Sequence, residues 1–180
     1  MNRKKLSIFT LLLIGFTVVM VTTVYARHLG FRWPNVTVPM RNFNYNTVWQ
    51  PAMLTGINNW NTRNTPITFQ TNTTSSNTIT ASRFDDEWYG LISYQRNLLG
   101  LGSSITRFDI SLNARTIANS ATNTSNFITS VFAHELGHVI GLSDNPSNTA
   151  PNGSIMNQSR NRNTLTVPTT FDVESVNMLY

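Results

Sequence analysis

The 180-residue chain has no cysteine, only eight acidic residues and three histidines, against thirteen basic ones. Without cysteine there is no disulfide framework and no lipoprotein attachment site, so stability has to come from packing and bound ions. The shortage of acid leaves a formal charge of +5. Three of the basic residues, Arg3, Lys4 and Lys5, lie in the first 26 positions, and without that segment the formal charge falls to +2. The remaining cations are all arginine and are scattered along the chain, which argues against nucleic-acid binding. Long apolar runs are also missing, with one exception. Leu11 to Val21 is an apolar core behind the basic start, and Val24-Tyr25-Ala26 is a small-residue exit. This reads as a secretory signal peptide over residues 1–26, placing the mature protein outside the cell. The alternative is an uncleaved anchor, since weakly apolar residues extend the run from Leu6 to Val24. Membrane contact is expected only through that segment. Residues 27–180 are enough for one domain with a core, expected to be a monomer, and contain no internal repeat.

What is present centres on Phe127 to Asp144, FITSVFAHELGHVIGLSD. His134-Glu135-Leu136-Gly137-His138 is the HExxH pattern of zinc hydrolases. Residues four apart share a helix face, so both imidazoles can hold one ion, and Glu135 sits beside it as a base. Apolar residues at Phe127, Ile128, Val131, Phe132, Leu136, Val139 and Ile140 predict a buried helix, with cap candidates at Thr124, Ser125 and Asn126. Gly141 can take the left-handed conformation that ends a helix. A sharp turn there could return Asp144 to the metal as third ligand; a helix-capping surface aspartate is the other reading.

The extended pattern HELGHVIGLSD resembles the metzincin clan of zinc peptidases, whose usual motif carries a third His where this chain has Asp144. An Asp at that place is similar to small bacterial neutral proteases of the snapalysin type. No His remains downstream, and the lack of cysteine removes peptide deformylases. Ser154-Ile155-Met156-Asn157 looks like the turn that places a Met beneath the zinc in metzincins, with Met156 as that residue. Pro168-Thr169, Asp172-Val173, Val176-Asn177 and Leu179-Tyr180 resemble the closing helix of matrixins.

The element order agrees with that resemblance. Val36 and Val38 alternate as in a strand over Asn35 to Met40. Trp49, Ala52, Met53, Gly56, Ile57 and Trp60 form one helix face, capped by Thr47, with Pro51 in its first turn. Ile67–Thr71, Thr78–Arg83, Gly90–Tyr94 and Ile105–Leu112 follow as strands, with solvated Asn/Thr-rich loops at 71–80 and 119–126. The expected class is α+β. The resemblance implies a twisted, mostly parallel sheet packed on two long helices, with a small irregular C-terminal subdomain ending in a helix.

The resemblance further implies a secreted zinc endopeptidase, in which Glu135 is general base to a zinc-activated water and His134, His138 and Asp144 are the ligands. An extended peptide would lie along Gly90, Leu91, Ile92, Ser93 and Tyr94, and the loop Asn157 to Val167 would wall the primed-side pocket. Departures from the family are clear. There is no cysteine for a Cys-switch pro-segment, and Gln158 stands where astacin-like families place a tyrosine. Asp85-Asp86-Glu87 is the single acidic cluster, read as a solvated turn with calcium as the other reading. Rival readings are a catalytically inactive binding protein on the same scaffold, at the cell surface or matrix, and a gluzincin-like site using Glu174.

Overall fold

The computed structural model describes residues 28–97, 103–145 and 153–180. The signal-peptide expectation for residues 1–26 lies outside the described residues. The elements run β1 (Phe31–Arg32), β2 (Thr37–Arg41), α1 (Trp49–Asn61), β3 (Thr68–Asn72), β4 (Thr78–Ser82), β5 (Gly90–Asn97), β6 (Ser103–Asn113), α2 (Ala114–Ser120), α3 (Thr124–Val139) and α4 (Thr170–Asn177).

Strand β6 is the organiser. It pairs parallel with β1 through Ser103 and Ser104, parallel with β4 through Asp109 to Asn113, and antiparallel with β5 along most of its length. Its inward residues Ile105, Phe108, Ile110 and Leu112 are all completely buried. Strands β2 and β3 form a separate parallel ladder, so the expected sheet exists as two ladders. Asn77 joins them: its side-chain amide donates to the Pro39 carbonyl on β2, and its Oδ1 accepts from Phe108 N on β6. A buried carboxamide with both ends bonded costs little and ties the edges together.

Helices α1 and α3 are the two long ones, of 13 and 16 residues. They touch at Gly56, where an added Cβ would stand 3.2 Å from Phe132 and 3.5 Å from the Ala133 backbone nitrogen. Two buried hydrogen bonds cross this contact, Trp60 Nε1 to Ala133 O at 2.8 Å and Thr129 Oγ1 to Ala52 O at 3.0 Å. A small residue at the crossing and satisfied polar tips around it let the backbones approach closely.

Several local expectations need correction. Val36 lies before β2 and is 51% exposed, so Val38 and Met40 are the strand's inward pair. Asn46, and not Thr47, covers the start of α1, its Oδ1 accepting from Val48 N and Trp49 N. The cap of α3 is Asn123, whose side chain accepts from Asn126 N, one residue ahead of the three candidates. The expected loop at 119–126 begins inside a short helix, α2, capped by Asn113.

The last described segment packs on the first described one. Tyr180 donates to the Trp33 carbonyl at 2.8 Å, and the Arg32 guanidinium lies 4.5 Å from the Tyr180 ring centre. His28 Nε2 reaches the Ser175 carbonyl of α4. Among the described residues, no helix is long and apolar enough to cross a membrane.

Candidate metal centre

Helix α3 carries His134, Glu135 and His138 on a stretch that is buried from Phe127 to Val139. Three short contacts hold its lower end. Gly141 N bonds His138 O, Leu142 N bonds Gly137 O, and Leu29 N bonds Gly141 O. Gly141 has φ of +96°, the left-handed value the turn requires. Its missing side chain also matters, because a Cβ would come within 2.8 Å of Arg32. The chain therefore reverses within a few residues of His138 and brings Asp144 back to the histidines.

The imidazoles are fixed through their Nδ1 atoms. His134 Nδ1 lies 2.9 Å from Ile155 O and His138 Nδ1 lies 2.8 Å from Leu142 O. A carbonyl only accepts, so each Nδ1 carries the proton and each neutral ring presents a bare Nε2. Asp144 Oδ1 stands 3.1 Å from Nε2 of His134 and 3.7 Å from Nε2 of His138. That oxygen is buried and has no hydrogen-bond partner. Three lone-pair atoms thus face one another with no proton among them, an arrangement that fits a cation at their centre. Among the described residues this is the one group of His, Cys, Asp or Glu that converges in this way. Two imidazole nitrogens and one carboxylate oxygen, in an open cleft, suit zinc.

Electrostatics supports the same ionisation. Burial, reinforced by the nearby Arg160, pushes His134 down to about 3. Burial likewise lowers His138. Partial burial raises Asp144, but its contacts with His134, His138 and Gln158 outweigh this and leave it below its ordinary value. His134 and Asp144 cannot both be lowered as a charged pair at neutral pH; the state consistent with both directions is neutral imidazole facing carboxylate. Burial raises Glu135 to about 8, against the opposing pull of Arg160.

A cleft of about 620 Å³ opens over these groups. Strand β5, whose one strand partner among the described residues is β6, forms its upper rim. Gly90, Leu91, Ile92 and Tyr94 line the cleft and Ser93 does not. Gly90 is pressed on the base: a Cβ there would stand 2.7 Å from Val131 and closer still to a Glu135 carboxylate oxygen. Gln158, Arg160 and Arg162 of the expected wall loop also face the cleft.

Met156 is completely buried, and its Sδ lies directly under Gly137, where a Cβ would collide with it. The Met156 turn is held from the last helix. Asp172, completely buried, accepts from Ser154 Oγ at 2.6 Å, Ile155 N at 2.9 Å and Thr169 N at 2.8 Å. Ile155 in turn presents its carbonyl to His134. Glu174 is exposed on α4 and outside the converging group, so the gluzincin-like expectation is not met. The acidic turn at Asp85 to Glu87 is gathered by Arg115, which donates to the carbonyls of Phe84, Asp85 and Asp86 and pairs with Glu87.

Sequence reasoning missed Arg160 and Arg162, which it took as scattered cations. Arg160 is 5% exposed and donates to Ser130 Oγ, Ser130 O and Asn157 O, bracing α3 against the Met156 turn. It also lies 3.2 Å from His134 Nδ1, which has no lone pair to offer it. Nothing in the spacing of two arginines beyond a turn signals that burial. Asp172 appeared only as part of the family-like ending, although its capping box with Thr169 has the sequence form Thr-x-x-Asp.

No protein-family model matches the chain, and no curated protein matches it. Solved structures do. The GM1-bound form of the ECX AB5 holotoxin is similar with a TM-score of 0.56 at 14% identity, over 87% of this chain and 86% of that one. High choriolytic enzyme 1, a hatching enzyme zinc-protease from the medaka fish Oryzias latipes, is similar with a TM-score of 0.50 at 14% identity, over 83% and 94%. At this identity the likeness is one of fold: the chain shares its mixed α/β fold with a zinc protease and carries a His-His-Asp group that could bind a metal.

Proposed function

We propose that the protein is a secreted zinc-dependent endopeptidase of the metzincin kind, acting on extended segments of extracellular proteins. One observation carries this reading: His134 Nε2, His138 Nε2 and the unpartnered Asp144 Oδ1 face a common point, in a cleft that also holds Glu135. Zinc bound there supplies Lewis acidity, polarising the scissile carbonyl and easing loss of a proton from water.

The rest is work for the chain's own groups. The Ile155 and Leu142 carbonyls keep the two Nε2 lone pairs aimed inward. Glu135 is the general base: its carboxylate takes the proton of the attacking water and delivers it to the departing amine. Its raised affinity for protons, with burial as the main cause, suits both halves of that transfer. Gly90 leaves the space in which that carboxylate sits. The side of β5 that no described strand occupies offers backbone donors and acceptors to an extended peptide, so that backbone pairing supplies affinity and the pockets supply choice. Met156 provides an apolar floor under the histidine-bearing turn.

The test is zinc content of wild type and Asp144→Ala by elemental analysis, alongside casein cleavage with and without a chelator. One zinc per wild-type chain, a large loss in the variant and chelator-sensitive cleavage are expected. A wild-type protein that binds no zinc, or cleaves equally well in chelator, would sink the proposal.

A further inference from the structure

Three successive carbonyl groups point at one side chain. Arg115, in the first turn of α2, donates from Nε to Phe84 O at 2.8 Å and from Nη2 to Asp85 O and Asp86 O, each at 2.7 Å. The same Nη2 meets Glu87 Oε1 at 3.0 Å. Carbonyl dipoles turned inward on a common point repel one another unless a cation occupies it, which is how backbone oxygens come to ligate calcium. Here the positive charge belongs to the chain itself, as a planar guanidinium with its donors in a fixed fork. The Glu87 side chain is 89% exposed, so its pairing is screened and weak. What the guanidinium chiefly holds is the backbone.

The neighbours of Arg115 complete the hold. Asn113 accepts from Phe84 N through Oδ1 and donates through Nδ2 to Phe84 O and Asp86 O. Thr116 Oγ1 donates to Trp88 O, and Asn113 N to Tyr89 O. The carbonyls of 84, 85, 86, 88 and 89 thus all end on residues 113–116. This segment runs straight into the rim of the cleft, which Trp88, Tyr89, Gly90 and Leu91 line. Phe84 packs on Trp88 with ring centres 4.9 Å apart, so movement of the turn passes to the rim by contact.

We propose that Arg115 is a positioning residue for the cleft: its guanidinium is the resident cation of the turn 84–87, organising it as a bound divalent ion would, and so sets where Trp88 and Tyr89 stand. That this rim meets substrate rests on the peptidase reading; that the turn is built on Arg115 does not. Calcium at Asp85-Asp86-Glu87 would have to displace the guanidinium from the same carbonyls.

The first test needs no peptidase activity. A glutamyl-specific serine protease is added to Glu135→Gln protein in zinc, whose remaining glutamates are Glu87 and Glu174. Cutting at each site follows local opening. Arg115→Gln should speed the cut after Glu87 by about tenfold or more, the weight of one charge-assisted hydrogen bond, and leave the cut after Glu174 unchanged. Arg115→Lys, which keeps the charge without the fork, should fall between, and carries both tests if Arg115→Gln does not fold.

The second test is steady-state cleavage of one internally quenched peptide. Gly90 stays paired with Leu112 on β6, so the base keeps its seat while the rim loosens. Arg115→Gln should therefore raise KM about fivefold or more with kcat within about twofold, whereas mere loss of folded protein lowers kcat at constant KM. Glu87→Gln should leave KM unchanged, and so should Arg107→Gln, which breaks a different arginine pair, with Asp109. Millimolar CaCl2 should give wild type no higher thermal midpoint than MgCl2. A wild-type KM in Arg115→Gln, an unaccelerated cut after Glu87, an equal effect from Glu87→Gln, or a calcium-specific rise in wild type overturns this inference and leaves the peptidase reading intact. Absence of any chelator-sensitive cleavage sinks the peptidase reading, and the digest then decides for or against Arg115.

Discussion

The carbonyl oxygen of Ile155 lies 2.9 Å from Nδ1 of His134, and the nitrogen of the same Ile155 lies 2.9 Å from the Asp172 carboxylate. One residue, through its two flanking peptide groups, therefore connects the last helix to an imidazole of the candidate metal centre. Such outer contacts fix ring orientation and tautomer, and their loss commonly costs 10–100-fold in metal affinity.

Asp172→Asn keeps the shape but removes the charge that Ser154, Ile155 and Thr169 share. Zinc affinity should fall by about tenfold, with a lowered thermal midpoint. Competition with a chromophoric chelator measures the first and calorimetry the second.

Glu135→Gln should leave zinc content intact and reduce peptide hydrolysis by about 10²–10⁴-fold. Elemental analysis and initial rates on one preparation decide it. Near-normal turnover would remove Glu135 from the role of base.

Stability of the metal-free protein should depend on pH in two opposed ways. Glu135 titrates near its ordinary 4.5 when unfolded and at about 8 when folded, so the folded state holds an extra proton between these values and loses stability as pH rises. His134 titrates near 6.5 unfolded and at about 3 folded, so stability is lost as pH falls through that window. The two slopes offset between pH 4.5 and 6.5. Metal-free Glu135→Gln should melt several degrees above metal-free wild type at pH 8, and the gap should close towards pH 4.5. A gap independent of pH would contradict the origin assigned to it.

An anionic third ligand makes the metal a weaker Lewis acid than a third imidazole would. Asp144→His should retain zinc and move the acidic limb of the pH–rate profile to lower pH. An unshifted limb would argue that Asp144 does not ligate.

Gly90→Ala places a methyl group 2.7 Å from Val131 and against the Glu135 carboxylate. The fold should survive, because among the described residues β5 pairs on one side only, while kcat falls more than KM changes. Loss of folding instead, seen by circular dichroism, would show that the strand cannot yield.

Helix α3 was legible because its pattern is redundant: apolar periodicity, HExxH and Gly141 all report one helix and one turn. The longer strands were legible from alternation, with ends off by up to three residues, as at β5, which runs on from Tyr94 to Asn97. Helix α2 escaped because ARTIANS is too short to show a face and is stabilised by Asn113 and by packing on α3. The two-residue β1 exists only because β6 is there to pair with it. Asn123 and Asn46 were missed as caps because neighbouring Thr, Ser and Asn residues are equally good candidates by type. Arg160 was illegible for a stronger reason: the sequence shows a polar run, and burial of a guanidinium there depends on the Ser130 carbonyl and hydroxyl brought in from α3.

The dependence of His134 on Asp172 has a consequence for biosynthesis. Helix α3 is translated before α4, yet the carbonyl that aims the His134 ring is held by Asp172 only once α4 has docked. A purified chain truncated after residue 165 should retain less zinc than residues 28–180 when both are loaded with labelled metal. The metal centre would then be completed only after α4 is in place.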